Sequence, residues 1–246
     1  MLKAFAGGRL FGTVHGTPPP RVLALHGWAR THRDFDAVLD GLDALALDLP
    51  GFGATPAPDE AWGGGGYAAA VAPVLDDADE PVVVVGHSFG GRVAVHLATA
   101  RPDRVRAVVL SGVPLVRPPG AVRRRPPAAY RLARALHRRG LLGDARMESL
   151  RQRYGSADYR AARGVMRAVH VTAVNETYEE QLRALLCPVE LVWGADDADV
   201  PASVAEAAAA LVPGGARLTL LPGVGHLVPT AAPEALRAAV DRALAL

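Results

Sequence analysis

The stretch from Val82 to Ala98 constrains the fold more than any other part of the chain. Four consecutive valines run into Gly86-His87-Ser88-Phe89-Gly90, and an alanine-rich amphipathic segment follows. The valine run predicts a buried strand and the segment after it predicts a helix. Ser88 therefore lies at a sharp turn, where glycines at the flanking positions avoid steric collisions. In this context G-x-S-x-G predicts a strained, exposed serine nucleophile; a tight turn with an incidental serine is the alternative.

The rest of the chain alternates short apolar runs with longer helical patterns. Candidate strands are Leu10–His15, Val22–His26, Ala44–Asp48, Val82–Gly86, Val105–Ser111, Val189–Trp193 and Arg217–Leu221. Candidate helices are Asp34–Asp40, Tyr67–Asp77, Phe89–Thr99, Pro201–Leu211 and Pro233–Leu244. This alternation predicts an α/β fold with a mostly parallel, twisted sheet and helices on both faces. We interpret the glycine-rich stretch Trp62–Ala70 as a flexible loop that enters a helix, with a phosphate-binding loop as the alternative.

The regular alternation stops between residues 115 and 186, where no convincing strand occurs. The first helical pattern in this region has an apolar face and an opposite basic face. The apolar face consists of Ala129, Leu132, Ala133 and Leu136, and the basic face of Arg131, Arg134 and Arg138. We interpret residues 115–186 as a helical insertion between two strands of a core domain that comprises residues 1–114 and 187–246.

Basic residues are concentrated in the same insertion. From Leu115 to His170 the sequence holds 14 arginines and three acidic residues, a net charge of +11, while 13 basic and 22 acidic residues elsewhere give −9. One interpretation is that the arginines form solvated helix faces. The other is that some of them, with Arg123 to Arg125 and Arg163 to Arg167 as candidates, attract an anionic substrate. Because the arginines are not interleaved with stacking aromatic residues, we expect no nucleic-acid partner.

The single cysteine and the short apolar runs bear on where in the cell the protein is expected. Cys187 is the only cysteine, so no internal disulfide can form, which is typical of a reducing environment. The first residues lack the apolar core and the cleavage pattern of a signal peptide. The longest apolar runs are interrupted by proline or glycine and do not predict a transmembrane helix. We therefore expect a cytoplasmic protein with no membrane partner.

A serine nucleophile needs a base and a residue that orients the base. His226 lies in a glycine-rich loop, LPGVGHLVP, after the last apolar strand, and it is the candidate base. The candidate acid lies in LVWGADDADVP, again just past a strand. Asp196, Asp197 and Asp199 are alternatives at this point.

Taken together, these motifs resemble the α/β-hydrolase superfamily, in its serine-nucleophile branch with a helical cap. The matching stretches are LALHGWA (Leu23–Ala29), ALDLPGFGAT (Ala46–Thr55), VVGHSFGG (Val84–Gly91), LVWGADDADVP (Leu191–Pro201) and GVGHLVP (Gly223–Pro229). They span nearly the whole chain and occur in the superfamily's order. The resemblance implies the α/β-hydrolase fold, a triad of Ser88, Asp197 and His226, and a cap of residues 115–186 that selects the substrate.

The resemblance also implies which residues fill the remaining roles. The superfamily's acid lies three residues after the glycine of its W-G-x-x-D stretch and four before a proline, which implies Asp197. Its oxyanion hole uses the backbone N–H after the nucleophile, here Phe89, and that after the H-G pair, here Trp28. His26 and Gly27 would shape the Trp28 loop, and His87 would frame the serine turn. Some members carry their acid after the sixth strand, but that position reads Ser111-Gly112 here.

The function that this resemblance implies is that of a serine hydrolase. It would cleave a carboxylic ester or thioester of a small-molecule acyl substrate through an acyl-enzyme intermediate, without a cofactor or metal. Serine at the turn argues against haloalkane dehalogenases and epoxide hydrolases, which attack with aspartate. The alternatives are a carbon–carbon bond hydrolase of the meta-cleavage type and, from a different class, a catalytically silent ligand-binding protein on the same fold.

Overall fold

An eight-stranded sheet forms the framework of the molecule. The structure, a computed structural model, describes residues 1–117 and 127–246. The strands are β1 (Leu2–Phe5), β2 (Leu10–His15), β3 (Val22–Leu25), β4 (Ala44–Asp48), β5 (Val82–His87), β6 (Val105–Ser111), β7 (Val189–Gly194) and β8 (Ala216–Leu221). They lie in the order β1-β2-β4-β3-β5-β6-β7-β8. β2 pairs antiparallel with β1 and β4, whereas the strand pairs from β4 to β8 are all parallel.

In the described ranges, helices follow most of the strands, and five of them lie in succession between β6 and β7. They are α1 (Asp36–Leu39), α2 (Gly64–Val71), α3 (Phe89–Ala100), α4 (Ala128–Arg138), α5 (Asp144–Tyr154), α6 (Ala157–Ala161), α7 (Val165–Ala173), α8 (Glu179–Ala184), α9 (Ala202–Ala209), α10 (Val228–Ala231) and α11 (Pro233–Leu244). Short 3-10 helices, His32–Phe35 and Ala72–Asp77, precede α1 and follow α2. Within the described residues, no helix is both long and apolar enough to cross a bilayer.

The valine run of β5 contributes to two apolar clusters, one on each face of the sheet. Val82 and Val84 belong to the cluster beneath α2, α3 and α9, whereas Val83 and Val85 belong to the cluster beneath α1 and α11. This division follows from the alternation of side chains along a strand. Because both faces are covered, β3, β4 and β5 are buried at every position. A parallel sheet covered on both sides therefore explains continuous apolar runs in the sequence.

The predicted α/β sheet with helices on both faces is confirmed. The predicted strands begin and end within one residue of the observed ones. The list of predicted strands lacks β1, because its four residues, LKAF, do not alternate regularly between apolar and polar types. β1 lies at the sheet edge and is mostly exposed. The predicted helix over Asp34–Asp40 forms as a 3-10 turn followed by the four-residue α1.

The glycine-rich stretch after Trp62 is helical from Gly64 onwards, which corrects the prediction of a flexible loop. The carboxylate of Glu176, between α7 and α8, accepts hydrogen bonds from the Gly64 N–H (3.1 Å) and from the Tyr178 hydroxyl (2.7 Å). The N-terminus of α2, where a phosphate would bind, is thus occupied by a side chain of the protein itself. Gly66 packs against Trp62, and a Cβ at Gly66 would lie 2.7 Å from the Trp62 side chain.

Helices α4 to α8 lie between β6 and β7, and the described residues of this interval contain no strand. The apolar face predicted for α4 is only partly covered. Ala133 is buried and Leu136 half-buried, but Leu132 is 62% exposed, because α4 packs mainly against α5. Of the candidate anion-binding arginines, Arg123 to Arg125 lie outside the described residues. The division into a core domain and a cap of residues 115–186 stays a prediction.

Replacing Glu176 by alanine should destabilise the protein by about 1–3 kcal/mol, because two donors lose their acceptor. For a chain of this size each kcal/mol lowers the Tm by roughly 2–4 °C. Glu176→Gln keeps an oxygen acceptor without the charge and should lie between wild type and alanine. The control is Glu206→Ala, which changes an exposed glutamate of α9. Equal Tm values for Glu176→Ala and this control would contradict the anchoring role.

Candidate active site

Ser88 lies at the junction of β5 and α3 in a backbone conformation that side chains rarely adopt. Its φ and ψ angles are 49° and −111°. A Cβ at Gly90 would overlap the backbone carbonyl of Leu25, and one at Gly86 would lie 2.5 Å from the Cα of Gly91. The two glycines therefore let α3 begin immediately after the strand. This turn holds the Ser88 hydroxyl at the carboxyl edge of the sheet.

His226 and Asp197 lie in line with the Ser88 hydroxyl. His226 Nε2 is 3.1 Å from Ser88 Oγ, and His226 Nδ1 is 2.8 Å from Asp197 Oδ2. Asp197 follows β7 and His226 follows β8, so neighbouring parallel strands deliver both loops to the same edge. Gly194 makes this possible, because a Cβ there would overlap the carbonyls of Val224 and Gly225 in the histidine loop.

Of the three candidate aspartates, only Asp197 contacts the imidazole. Asp197 is 4% exposed, whereas the side chains of Asp196 and Asp199 face solvent. Its Oδ1 accepts the backbone N–H groups of Asp199 (2.9 Å) and Val200 (2.8 Å). Burial alone would raise the pKa of the Asp197 carboxyl, but the hydrogen bonds from His226 and Val200 hold this pKa below its ordinary value. Asp197 is therefore ionised and able to orient His226.

A second histidine packs behind the first. The ring of His87 lies 5.0 Å from that of His226, and its Nδ1 is 3.0 Å from both the carbonyl and the hydroxyl oxygen of Ser111. A carbonyl can only accept, so Nδ1 of His87 carries a proton. Burial, together with the nearby His226, lowers the pKa of His87 to about 3. His87 is thus neutral.

Gly112 is a residue of the site that sequence reasoning missed. It has a φ of 59°, and a Cβ there would lie 2.9 Å from Cε1 of His226 and 3.1 Å from Cε1 of His87. Any side chain at this position would press on both rings. Its position directly after β6, at the same edge of the sheet as Ser88, is the sequence feature that could have indicated a place in the site.

The loop after β3 brings the backbone of Trp28 to the site. His26 is buried, and its Nε2 accepts the Leu49 N–H at 3.0 Å, so its Nδ1 carries the proton and donates to the Gly27 carbonyl at 2.7 Å. Burial lowers the pKa of His26. This neutral imidazole fixes the turn that holds Trp28. Within the described part of the chain, no hydrogen bond engages the backbone N–H of Trp28 or Phe89, so both are free to hold an oxyanion.

A cavity of about 310 Å³ opens beside Ser88 and His226. Its walls also include Gly27, Trp28, Arg30, His87, Asp158, Asp199, Val200 and Leu227. Arg30 is bound by both carboxylate oxygens of Asp34, each at 2.7 Å. A hollow of about 450 Å³ lies around Arg21 and Arg106. None of the described residues that line that hollow is a nucleophile paired with a base, whereas the smaller cavity contains both Ser88 and His226.

Helix α6 contributes to the wall of this cavity, and α7 packs against one of its lining residues. Asp158 of α6 lines it, and His170 of α7 packs against the Trp28 ring with centroids 4.9 Å apart. The other side of Trp28 contacts Phe52 and Phe89, at 5.0 and 5.4 Å between centroids. The indole is therefore held between the core and the helices that lie between β6 and β7.

One group of side chains in the described residues has the spacing of metal ligands. Donor atoms of Asp197, Asp199 and His226 lie within 4.8 Å of one another. The Asp197 oxygens and His226 Nδ1 already bind each other or backbone N–H groups. The hydrogen bonds of the line from Asp197 to Ser88 explain why Asp197 and His226 lie together, and Asp199 is exposed beside them.

Comparison with known proteins identifies a family and several relatives. The family model described as "Alpha/beta hydrolase family" matches residues 22–239. The chain is 30% identical over 239 residues to the pimeloyl-[acyl-carrier protein] methyl ester esterase of Aromatoleum aromaticum, covering 84% of this chain and 91% of that protein. It is also 46% identical over 98 residues to Lipase LipV of Mycobacterium tuberculosis, a match that spans only about a third of either protein (37% of this chain and 36% of that lipase).

Solved structures share the fold at lower sequence identity. The thioesterase domain from the curacin biosynthetic pathway superimposes with a TM-score of 0.70 at 21% identity, covering 98% of each chain. This likeness concerns the fold as a whole, since the aligned range covers almost the whole of both chains.

Exchange of each aspartate for asparagine should separate the three candidates. Asp197→Asn should lower the reactivity of Ser88 by up to about 10⁴-fold, because the amide holds the imidazole in the wrong tautomer. Asp196→Asn and Asp199→Asn change exposed side chains and should react like wild type. The measurement is the rate of covalent labelling of Ser88 by a fluorophosphonate. A severe loss in Asp196→Asn instead would assign the acid to the neighbouring position.

Proposed function

Because the chain belongs to the alpha/beta hydrolase family, we propose that it is a serine hydrolase that cleaves a carboxylic ester or thioester through an acyl-enzyme intermediate. The observation that carries the proposal is the line of hydrogen bonds from Asp197 through His226 to Ser88, which ends in an open cavity. A hydroxyl in this arrangement can lose its proton to the imidazole as it attacks a carbonyl carbon.

In the first half of the proposed reaction, Ser88 Oγ attacks the carbonyl carbon while His226 Nε2 takes its proton. The N–H groups of Trp28 and Phe89 hold the oxyanion, supported by the N-terminal end of α3. His226 then protonates the leaving alcohol or thiol. In the second half, water attacks the acyl group, His226 again takes the proton, and the acid leaves. Asp197 stays ionised throughout, since its lowered pKa keeps the carboxylate charged even at mildly acidic pH.

The names of the relatives support the choice of an acyl substrate. A methyl ester esterase, a lipase and a thioesterase domain are all named for cleavage of an acyl bond to oxygen or sulfur. We also propose that residues 115–186 act as the cap that selects the substrate, because Asp158 lines the cavity and His170 packs on Trp28.

The hypothesis of an anionic substrate has little support among the described arginines. Arg163 is exposed, and Arg167 pairs with Glu148 at 2.7 Å; neither lines the cavity. Arg30 does line it, but its guanidinium is engaged by Asp34. The cavity is also lined by Asp158 and Asp199, and neither forms an ion pair with a described residue. We therefore propose a neutral small-molecule acyl substrate and a solvated arginine surface.

Ser88→Ala and His226→Ala should each remove nearly all ester turnover, by on the order of a thousandfold or more, while the fold stays intact. Fluorophosphonate should label wild type at Ser88, as located by peptide mass spectrometry. Circular dichroism and Tm of the variants control for folding. A folded wild type that neither takes the label nor cleaves esters and thioesters would instead support the ligand-binding protein.

A neutral ester should be cleaved with a higher kcat/KM than its carboxylate-bearing analogue. The reason is that Asp158 and Asp199 line the cavity without an ion-pair partner in the described part of the chain. Among the described residues, the one arginine that lines it, Arg30, is already paired with Asp34. The comparison is made at low and at physiological salt, where the Debye length is about 8 Å. Preference for the anionic analogue, decreasing as salt rises, would instead establish electrostatic attraction by the arginines.

A further inference from the structure

His87 presents a polar atom to the cavity that the proposed triad does not use. The residue is 1% exposed and forms part of the cavity wall beside Ser88. Its Nδ1–H is directed to the Ser111 carbonyl. In the neutral ring, Nε2 then has a lone pair and can only accept a hydrogen bond. Among the residues that the structure describes, no group donates to Nε2.

The surroundings of the ring place this lone pair between two glycines. Cδ2 of His87 faces Gly27, and Cε1 faces Gly112; a Cβ on either glycine would lie 3.1 Å from the corresponding carbon. Nε2 is bonded to both of these carbons, so the two glycines leave the ring edge that carries Nε2 free of side chains at these positions. The same missing side chain at Gly112 leaves room against His226.

His87 Nε2 is not among the fully buried side-chain atoms that lack a partner. It therefore touches the cavity, where a water molecule can supply the missing donor. The cavity of about 310 Å³ has room for water beside an acyl group, given that a water molecule occupies about 30 Å³ in the liquid. The second half of the proposed reaction requires a water molecule next to His226.

We propose that Nε2 of His87 holds the water molecule that hydrolyses the acyl-enzyme. This assignment rests on the proposed function. The water donates one hydrogen to His87 Nε2 and the other to His226 Nε2, so its oxygen is free to attack the acyl carbon. As the new carbon–oxygen bond forms, His226 takes the proton. Collapse of the intermediate breaks the bond to Ser88 Oγ, which receives that proton back. His87 only accepts a hydrogen bond and remains neutral.

The electrostatic environment agrees with this role. Because its pKa is lowered to about 3, His87 stays neutral at neutral and mildly acidic pH. A protonated His87 would turn a donor towards the water and repel the imidazolium that forms on His226. Burial thus keeps the acceptor available.

A structural role is the competing explanation, in which His87 only braces the turn through Ser111. The two roles differ in which half of the reaction depends on Nε2. A water-holding residue affects the release of the acyl group and leaves its transfer to Ser88 almost unchanged. Loss of a purely structural residue would slow both acyl transfer and acyl release, because both steps use the same Ser88, His226 and oxyanion-binding groups.

The decisive variant is His87→Asn, whose amide N–H can replace the Nδ1 donor while nothing replaces Nε2. With a p-nitrophenyl ester, the burst phase reports acyl transfer and the steady state reports acyl release. We expect the burst rate within about threefold of wild type and acyl release slowed roughly 10²-fold, the size of loss typical of misplaced reactants. The acyl-enzyme should accumulate and appear in the intact-protein mass. Hydroxylamine, which supplies its own nucleophile, should accelerate release more in the variant than in wild type.

The matched variant is His87→Gln, whose longer side chain can place an amide oxygen where Nε2 was. It should recover part of the release rate, and it also serves as the test if the asparagine variant does not fold. Equal slowing of the burst and the steady state in the folded variants would overturn the water-holding role. Wild type that forms no acyl-enzyme and turns over no ester would instead contradict the proposed function itself.

Discussion

The rest of the site depends on one backbone contact, between Gly90 at the start of α3 and the carbonyl at the end of β3. Only when the helix approaches this closely can it follow β5 with Ser88 alone between them. Ser88 then lies at the carboxyl edge of the sheet in its strained conformation. Strain of this kind persists where the surroundings over-determine it. Here the surroundings are β3 and β6 on either side of β5, and the helix packed across them.

The parallel sheet brings together residues that are far apart in the chain. Trp28, Ser88, Gly112, Asp197 and His226 follow β3, β5, β6, β7 and β8, respectively, and all of these strands point the same way. Loops at one edge must still approach within hydrogen-bonding distance. Glycines allow this where two backbones or a backbone and a ring meet, as at Gly194 against the histidine loop and at Gly112 against the two imidazoles.

Sequence reasoning reached the sheet, its strands and the candidate triad because these are carried by local patterns and by fixed spacing. The residue patterns alone left three candidates for the acid, and the spacing known from the superfamily favoured Asp197. The structure places Asp197 against His226, whereas Asp196 and Asp199 face solvent. Contacts between distant segments carry no such signal. Glu176 reaches α2 from more than a hundred positions away, and the tautomer of His87 depends on Ser111. The spacing of apolar residues correctly predicted a helix at α4. It could not predict that Leu132 remains exposed, because spacing does not determine how much of a helix face a neighbouring helix covers.

The locked tautomers of His26 and His87 have a consequence for how the site stores protons. Each ring gives its one N–H to a backbone carbonyl and is buried, so each is a poor proton store. Of the three imidazoles nearest Ser88, His226 alone combines a carboxylate partner with partial exposure. A proton released by the serine therefore has a single imidazole to enter and cannot be lost to a neighbouring ring. The two neutral histidines thus fix the backbone around the site through hydrogen bonds without adding competing bases.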